Sequence, residues 1–228
     1  KIENGLLQDS YFAYGMFEDI VIHGESSNIK GNGCVDGLKA YAFFIKSNKF
    51  NTYLLDYFAV LSGKRQSGIG SAYLQELKNI AVKDNKELIL EVENPYYESC
   101  NNISSLYVAR DHIEDAIILD GDQIIYNPEI LSKEFERSGY NSVWTDDETD
   151  EWLQTVEDGI VTSCSRSGGS HGWQLYSISR WTAADGRKLK KHLEMEFENK
   201  KNTQIYWDDV AMFCYPDEYQ LGIYEMQK

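Results

Sequence analysis

Residues 53–92 read YLLDYFAVLSGKRQSGIGSAYLQELKNIAVKDNKELILEV, and their periodicity decides the first part of the fold. Tyr53 to Leu61 is apolar and aromatic, the pattern of a buried strand, and Ala40 to Ile45 reads the same way. From Ser71 to Val82 the apolar positions Tyr73, Leu74, Leu77, Ile80 and Ala81 recur at three and four residues, which predicts a helix with one apolar face. Leu88 to Val92 returns to strand. A strand, a glycine-containing turn, a helix and a strand in this order predict a crossover unit in a mostly parallel sheet flanked by helices, an α/β fold.

Downstream of Pro95 the pattern restarts. Ala116 to Leu119 is a strand running into Asp120-Gly121-Asp122, and Asn141 to Thr145, Trp173 to Ser179 and Leu221 to Glu225 also read as strands. Leu189, Leu193 and Phe197 mark one helix face. Gln204 to Trp207 reads as a short aromatic strand before Asp208-Asp209, and Ser163 to Gly172 as a mobile loop. Two segments are expected, residues 1–95 and residues 96–228.

The 228 residues are 42% hydrophobic and 26% charged, which suits a globular chain with a sizeable core and excludes both a disordered chain and a small disulfide scaffold. The longest apolar runs, Tyr41 to Ile45 and Tyr57 to Leu61, are far below the ~18–20 residues of a membrane span, so no membrane association is expected. No apolar leader follows Lys1, and Cys34, Cys100, Cys164 and Cys214 lie far apart, so reduced thiols and a cytoplasmic location are expected. His23, His112, His171 and His192 lack metal-ligand spacing, which argues against a zinc enzyme.

Charge divides unevenly along the chain: the net is -15 overall, and nearly all of it falls after residue 95. So acidic a surface repels phosphate backbones, so nucleic acid is not an expected partner. Carboxylates in such number suit a hard divalent cation instead. Asp120 and Asp122, at i and i+2 on an extended segment, point to one side, where Asp208 or Asp209 could join them. Trp152, Tyr206 and Trp207 are candidate walls for a cationic group that cannot donate hydrogen bonds. In the first segment, Arg65-Gln66-Ser67-Gly68-Ile69-Gly70-Ser71 lies between strand and helix, where backbone amides and the helix N-terminus suit a pyrophosphate.

Two resemblances follow. Leu55-Asp56-Tyr57-Phe58-Ala59-Val60, Arg65-x-x-Gly68-x-Gly70 and Leu90-Glu91-Val92 resemble the acetyl-CoA-binding core of the GNAT N-acetyltransferases over about residues 40–95. This implies acetyl-CoA held by the loop at Arg65, Gln66, Gly68 and Gly70 and by the strand at Phe58 and Val60. Asn94-Pro95-Tyr96-Tyr97-Glu98, Asn101-Asn102-Ile103-Ser104-Ser105-Leu106-Tyr107, Ile118-Leu119-Asp120-Gly121-Asp122, Asp150-Glu151-Trp152 and Tyr206-Trp207-Asp208-Asp209 resemble bacterial phosphocholine cytidylyltransferases and related sugar-phosphate nucleotidyltransferases, with a Rossmann-like fold, over about residues 94–226.

The second resemblance implies Mg²⁺-dependent transfer of CMP from CTP to a phosphorylated small molecule such as phosphocholine, with pyrophosphate released. Asp120, Asp122 and Asp208 would hold the metal, Asp122 and Asp208 being central to catalysis. Asn101, Asn102 and Ser105 would line the nucleotide side, and Trp152, Tyr206 and Trp207 the acceptor side. The chain thus reads as a hybrid of two halves, in which the Arg65 to Gly70 loop is a candidate substitute for the family's glycine-rich triphosphate cradle. The other readings are an acetyl-CoA-dependent N-acetyltransferase and a non-catalytic binder of nucleotide or choline-like cations.

Overall fold

Ala40, Ala42 and Phe44 alternate with more exposed neighbours, as a strand with one buried face requires. They lie on β3 (Leu38–Lys46) in a computed structural model that describes residues 11–17, 20–25, 37–46, 51–61, 63, 68–121, 123–132 and 134–226. The chain forms two compact units, Lys1–Glu91 and Val92–Lys228.

In the first unit, β1 (Tyr11–Phe17), β2 (Ile20–Glu25), β3, β4 (Thr52–Val60) and β5 (Glu87–Leu90) form one sheet in the order β2-β1-β3-β4-β5. Helix α1 (Ile69–Lys83) connects β4 to β5, which pair in parallel. Tyr73, Leu77 and Ala81 of α1 are buried at the predicted four-residue spacing, against Phe44, Tyr53 and Leu55. Gly68 enters the helix at φ 77°, a left-handed conformation favouring glycine. A Cβ on Gly70 would sit 3.4 Å from Val60 Cγ2. Phe58 and Val60 are half-buried against this core, Phe58 stacking on Tyr73 at 5.4 Å. Arg65 and Gln66 lie outside the described residues.

The second unit holds β6 (Ala116–Leu119), β7 (Gly139–Thr145), β8 (Leu153–Glu157), β9 (Ile160–Ser165), β10 (Gly172–Trp181) and β11 (Gly222–Glu225), in the order β6-β10-β7-β11-β9-β8. Strand β10 also pairs with β8, so five strands close a ring. Three helical elements pack a core on this sheet: α2 (Ile103–Val108), α3 (Ala183–Glu194) and α4 (Trp207–Asp209). Wider π-type turns extend α3 through Met195–Asn199 and α4 through Val210–Cys214. Helix α3 is capped by Thr182, whose Oγ1 accepts from Asp185 N at 3.3 Å, and it buries Leu189 and Leu193 as the sequence predicts. No helix among the described residues is long and apolar enough to cross a membrane.

Three expectations are corrected. The sheets are mostly antiparallel: among described pairs only β4/β5 and β7/β11 run parallel. Where the connection is a two-residue turn the direction is forced, because such a turn can only join antiparallel neighbours. Asp158 (φ 49°) and Gly159 (φ 76°) make such a turn between β8 and β9. Gln204 to Trp207 is a turn leading into α4, not a strand. Ser163 to Gly172 is tied down at both ends, by β9 and by paired Thr149 and Gly169 amides at 2.8 and 2.9 Å.

Candidate functional site

Strand β6 delivers Asp120 to its C-terminal end, where the Asp120 amide donates to Ser177 O of β10 at 3.3 Å. Asp208 arrives on the first turn of α4, whose start is fixed from distant sequence. Asn102 Oδ1 accepts from the Trp207 amide at 2.9 Å, Asn101 Nδ2 donates to Gln204 O at 3.1 Å, and Asp209 Oδ2 accepts from the Tyr206 amide at 2.9 Å. Trp152 is fixed by its carbonyl, which accepts from Leu175 N at 2.9 Å. These segments enclose a cavity of about 240 Å³. Asp120 and Asp208 line it with Asn102, Glu151, Trp152 and Tyr206, and Leu175 and Ser177 contribute the β10 wall.

Asp208 dominates the electrostatics. It is 6% exposed, and its Oδ1 meets no hydrogen-bond donor of good geometry among the described residues. Burial first, then the negative charge of Asp120 and Asp209, raises its pKa from the ordinary 3.8 to about 8, against an opposing pull from the Tyr140 hydroxyl. Tyr140 is fully buried with no well-aligned partner among the described residues, and burial and Asp208 push its own pKa upward. An unpartnered buried carboxylate oxygen costs free energy unless a proton or a cation joins it.

Asp209 is differently placed. Its Oδ1 takes Arg166 Nη2 at 2.5 Å, and the guanidinium lies 3.8 Å above the Phe213 ring and 5.8 Å from the Trp152 ring. Asp209 is therefore already paired, which leaves Asp208 as the free carboxylate of the two. Among the described residues no group of three or more His, Cys, Asp or Glu side chains is arranged to hold a metal. Asp120, Glu151 and Asp208 line one cavity, and the charge of Asp120 is felt at Asp208. Two carboxylates with an orphaned oxygen suit Mg²⁺, which keeps waters and takes its remaining ligands from phosphates.

The structure brings together Asp120, Asp208, Asn102, Trp152 and Tyr206 of the predicted site. Asp122 lies outside the described residues. Trp207 is corrected: at 3% exposure it is a core side chain, stacked on Tyr140 at 6.2 Å and against Trp181 at 6.2 Å. Asn101 and Ser105 do not line the cavity. Asn101 holds the turn before α4, and Ser105 is exposed, accepting from Asn94 Nδ2 at 3.2 Å. Glu151, Ser177, Arg166 and Tyr140 were not singled out for the site by sequence reasoning. Glu151 adjoins Trp152 and carried a signal, whereas the other three are polar residues in strands or turns with none.

No family model matches the chain. Comparison with individual proteins is more informative. The chain is similar to cytidylyltransferases. It is 26% identical over 154 residues to the 2-aminoethylphosphonate cytidylyltransferase of Lancefieldella rimae, covering 67% of this chain and 62% of that protein. It is 24% identical over 120 residues to the choline-phosphate cytidylyltransferase of Streptococcus pneumoniae, covering 53% of this chain and 52% of that one. The solved structure of the S. pneumoniae CTP:phosphocholine cytidylyltransferase matches with a TM-score of 0.53 at 20% identity, over 68% of this chain and 66% of that structure. The chain therefore spans only about half to three-fifths of the length of these curated relatives. The fold is a mixed α/β one similar to nucleotidyltransferase structures, and these relatives are transferases. The N-acetyltransferase resemblance of residues 40–95 receives no support from these comparisons.

Proposed function

We propose that the Val92–Lys228 unit carries the metal and acceptor side of a cytidylyltransferase. The reaction is transfer of CMP from CTP to a phosphorylated small molecule bearing a cationic nitrogen, such as phosphocholine. The observation that supports this most is Asp208, buried beside Asp120 in a cavity with Trp152 and Tyr206 on its walls, its Oδ1 meeting no well-aligned donor among the described residues. An acceptor phosphate oxygen attacks the α-phosphorus of CTP, a new P–O bond forms, the bond to the β-phosphate oxygen breaks, and pyrophosphate leaves.

No protein nucleophile is required, so the residues act by position and charge. Asp120 and Asp208, with Asp122, would hold Mg²⁺, which when bound neutralises negative charge developing on the phosphates. Asn102 keeps α4, and with it Asp208, in register through the Trp207 amide. Trp152 and Tyr206, edge to face at 5.8 Å, form a corner for the acceptor's cationic end. The free thiols of Cys100, Cys164 and Cys214 suit a reducing compartment, and we place the protein in the cytoplasm. The test is pyrophosphate release with CTP, Mg²⁺ and acceptor. Asp208→Ala should abolish it in a folded protein, and retained turnover would sink the assignment.

A second reading concerns the first unit alone. There β4, the left-handed Gly68, α1 and the parallel β5 follow one another, the elements on which the acetyl-CoA reading would rest. Gly68→Asp would then destroy acetyl-CoA affinity. Binding of CTP without product over long incubation would instead indicate a non-catalytic binder.

A further inference from the structure

Next to the two cavity rings lies one cation that does not itself line the cavity. Arg166 directly follows β9, and its Nη2 donates to Asp209 Oδ1 at 2.5 Å. The other oxygen of that carboxylate, Oδ2, accepts from the Tyr206 amide at 2.9 Å. The same guanidinium lies 3.8 Å from the centre of the Phe213 ring and 5.8 Å from that of Trp152. Trp152 in turn meets Phe213 edge to face at 5.5 Å and Tyr206 at 5.8 Å. Arg166, Asp209, Tyr206, Trp152 and Phe213 thus close a circle of contacts, of which only Trp152 and Tyr206 line the cavity. The turn that carries Arg166 is also tied to the segment that carries Trp152, because Thr149 and Gly169 exchange amide bonds at 2.9 and 2.8 Å. The carboxylate side is anchored without Arg166, through Asn102 Oδ1 on the Trp207 amide and the Asp120 amide on Ser177 O.

Resting on the cytidylyltransferase reading, we infer that Arg166 is a positioning residue for the acceptor side, one planar cation that sets Tyr206 through Asp209 and Trp152 through the packed rings. A guanidinium does both at once, because its flat face lies on aromatic rings while its edge donates to a carboxylate. A lysine ammonium keeps the charge for Asp209 but has no flat face to offer. Loss of the cation leaves the buried Asp209 carboxylate uncompensated. Its hold on the Tyr206 amide then slackens and the corner between Trp152 and Tyr206 opens, while Asp120 and Asp208 keep their own anchors.

The test compares full-length wild type, Arg166→Ala and Arg166→Lys, with urea midpoints confirming that each is folded under the assay conditions. Calorimetry measures the Kd of phosphocholine, as the acceptor probe, and of CTP, each with MgCl₂. Expected is a phosphocholine Kd weakened about tenfold in Arg166→Ala and about threefold in Arg166→Lys, with CTP within about twofold of wild type in both. The emission of Trp152, isolated as the difference from the matching Trp152→Phe proteins, should become more open to acrylamide quenching in the same order. A merely structural Arg166 would lower the urea midpoint and weaken both ligands alike, or neither. That result, an unchanged Trp152 emission, Arg166→Lys equal to wild type, or no phosphocholine binding by wild type would overturn the inference. Pyrophosphate release is followed separately, so absent release with the split between phosphocholine and CTP intact would refute the transfer reading and leave Arg166 in its role.

Discussion

Replacing Asp208 by Asn probes the electrostatics of the site without changing its shape. With the pKa raised from 3.8 to about 8, the folded protein keeps a proton on Asp208 that the unfolded chain releases near pH 4. Below about pH 4 both states hold the proton and the group contributes no slope. Between about pH 4 and about 8 the folded state holds one more proton, so stability falls as pH rises, by about 1.4 kcal/mol per pH unit. Above about pH 8 both states are ionised and the cost is constant, on the order of 5 kcal/mol for so buried a group. Asn carries no titrating proton and is free of this slope. The variant should therefore gain on the wild type by about 4 kcal/mol between pH 5 and pH 8 in EDTA. Urea titrations followed by tryptophan fluorescence measure this directly, since Trp144, Trp152, Trp173, Trp181 and Trp207 all belong to residues 92–228. Parallel stability curves for the two proteins, or a variant that loses ground as pH rises, would refute the reasoning.

Three further outcomes follow from the same geometry. Gly139→Ala places a Cβ 2.2 Å from Gly222 O across the β7/β11 pair, so the urea midpoint should fall by the equivalent of about 1–3 kcal/mol. Arg166→Ala leaves Asp209 buried without its cation. Because Arg166 is half exposed, the loss should be about 1–2 kcal/mol, accompanied by a change in Trp152 emission. Burial, with Asp208 nearby, pushes the Cys164 thiol up to about 12, so native-state iodoacetamide at pH 8 should leave Cys164 unmodified by mass spectrometry, and rapid alkylation would contradict its placement.

What local pattern could show, and what it could not, is clear from individual elements. Ala116–Leu119 and the buried face of α1 were legible because each is a short-range periodicity that packing had only to accept. Strand direction was not, because apolar content says nothing about orientation. A strong local signal, Asp158-Gly159, marks a hairpin that sequence reasoning passed over. The segment 204–207 looks like a strand by composition, and becomes a turn and helix start because Asn101 and Asn102, about a hundred residues away, bind its backbone. The tryptophans show the same limit. Trp152 and Trp207 both sit beside acidic residues in sequence, yet one lines the cavity and the other fills the core, a difference made by tertiary neighbours such as Tyr140 and Trp181. Asp120 and Asp208 were legible as a pair because strand-end and helix-start carboxylates are short-range features. Arg166, which fixes Asp209, comes from a turn that carries no such mark.

The most direct test of the central claim is pyrophosphate release from CTP by the wild-type chain and by Asp208→Asn, with Mg²⁺ and a phosphorylated amine each present or withheld. The account predicts release only when CTP, Mg²⁺ and acceptor are combined, and a fall of at least about a hundredfold in the folded variant, in keeping with the loss of a charge-positioning group. No release by folded wild type, or undiminished release by the variant, would contradict it.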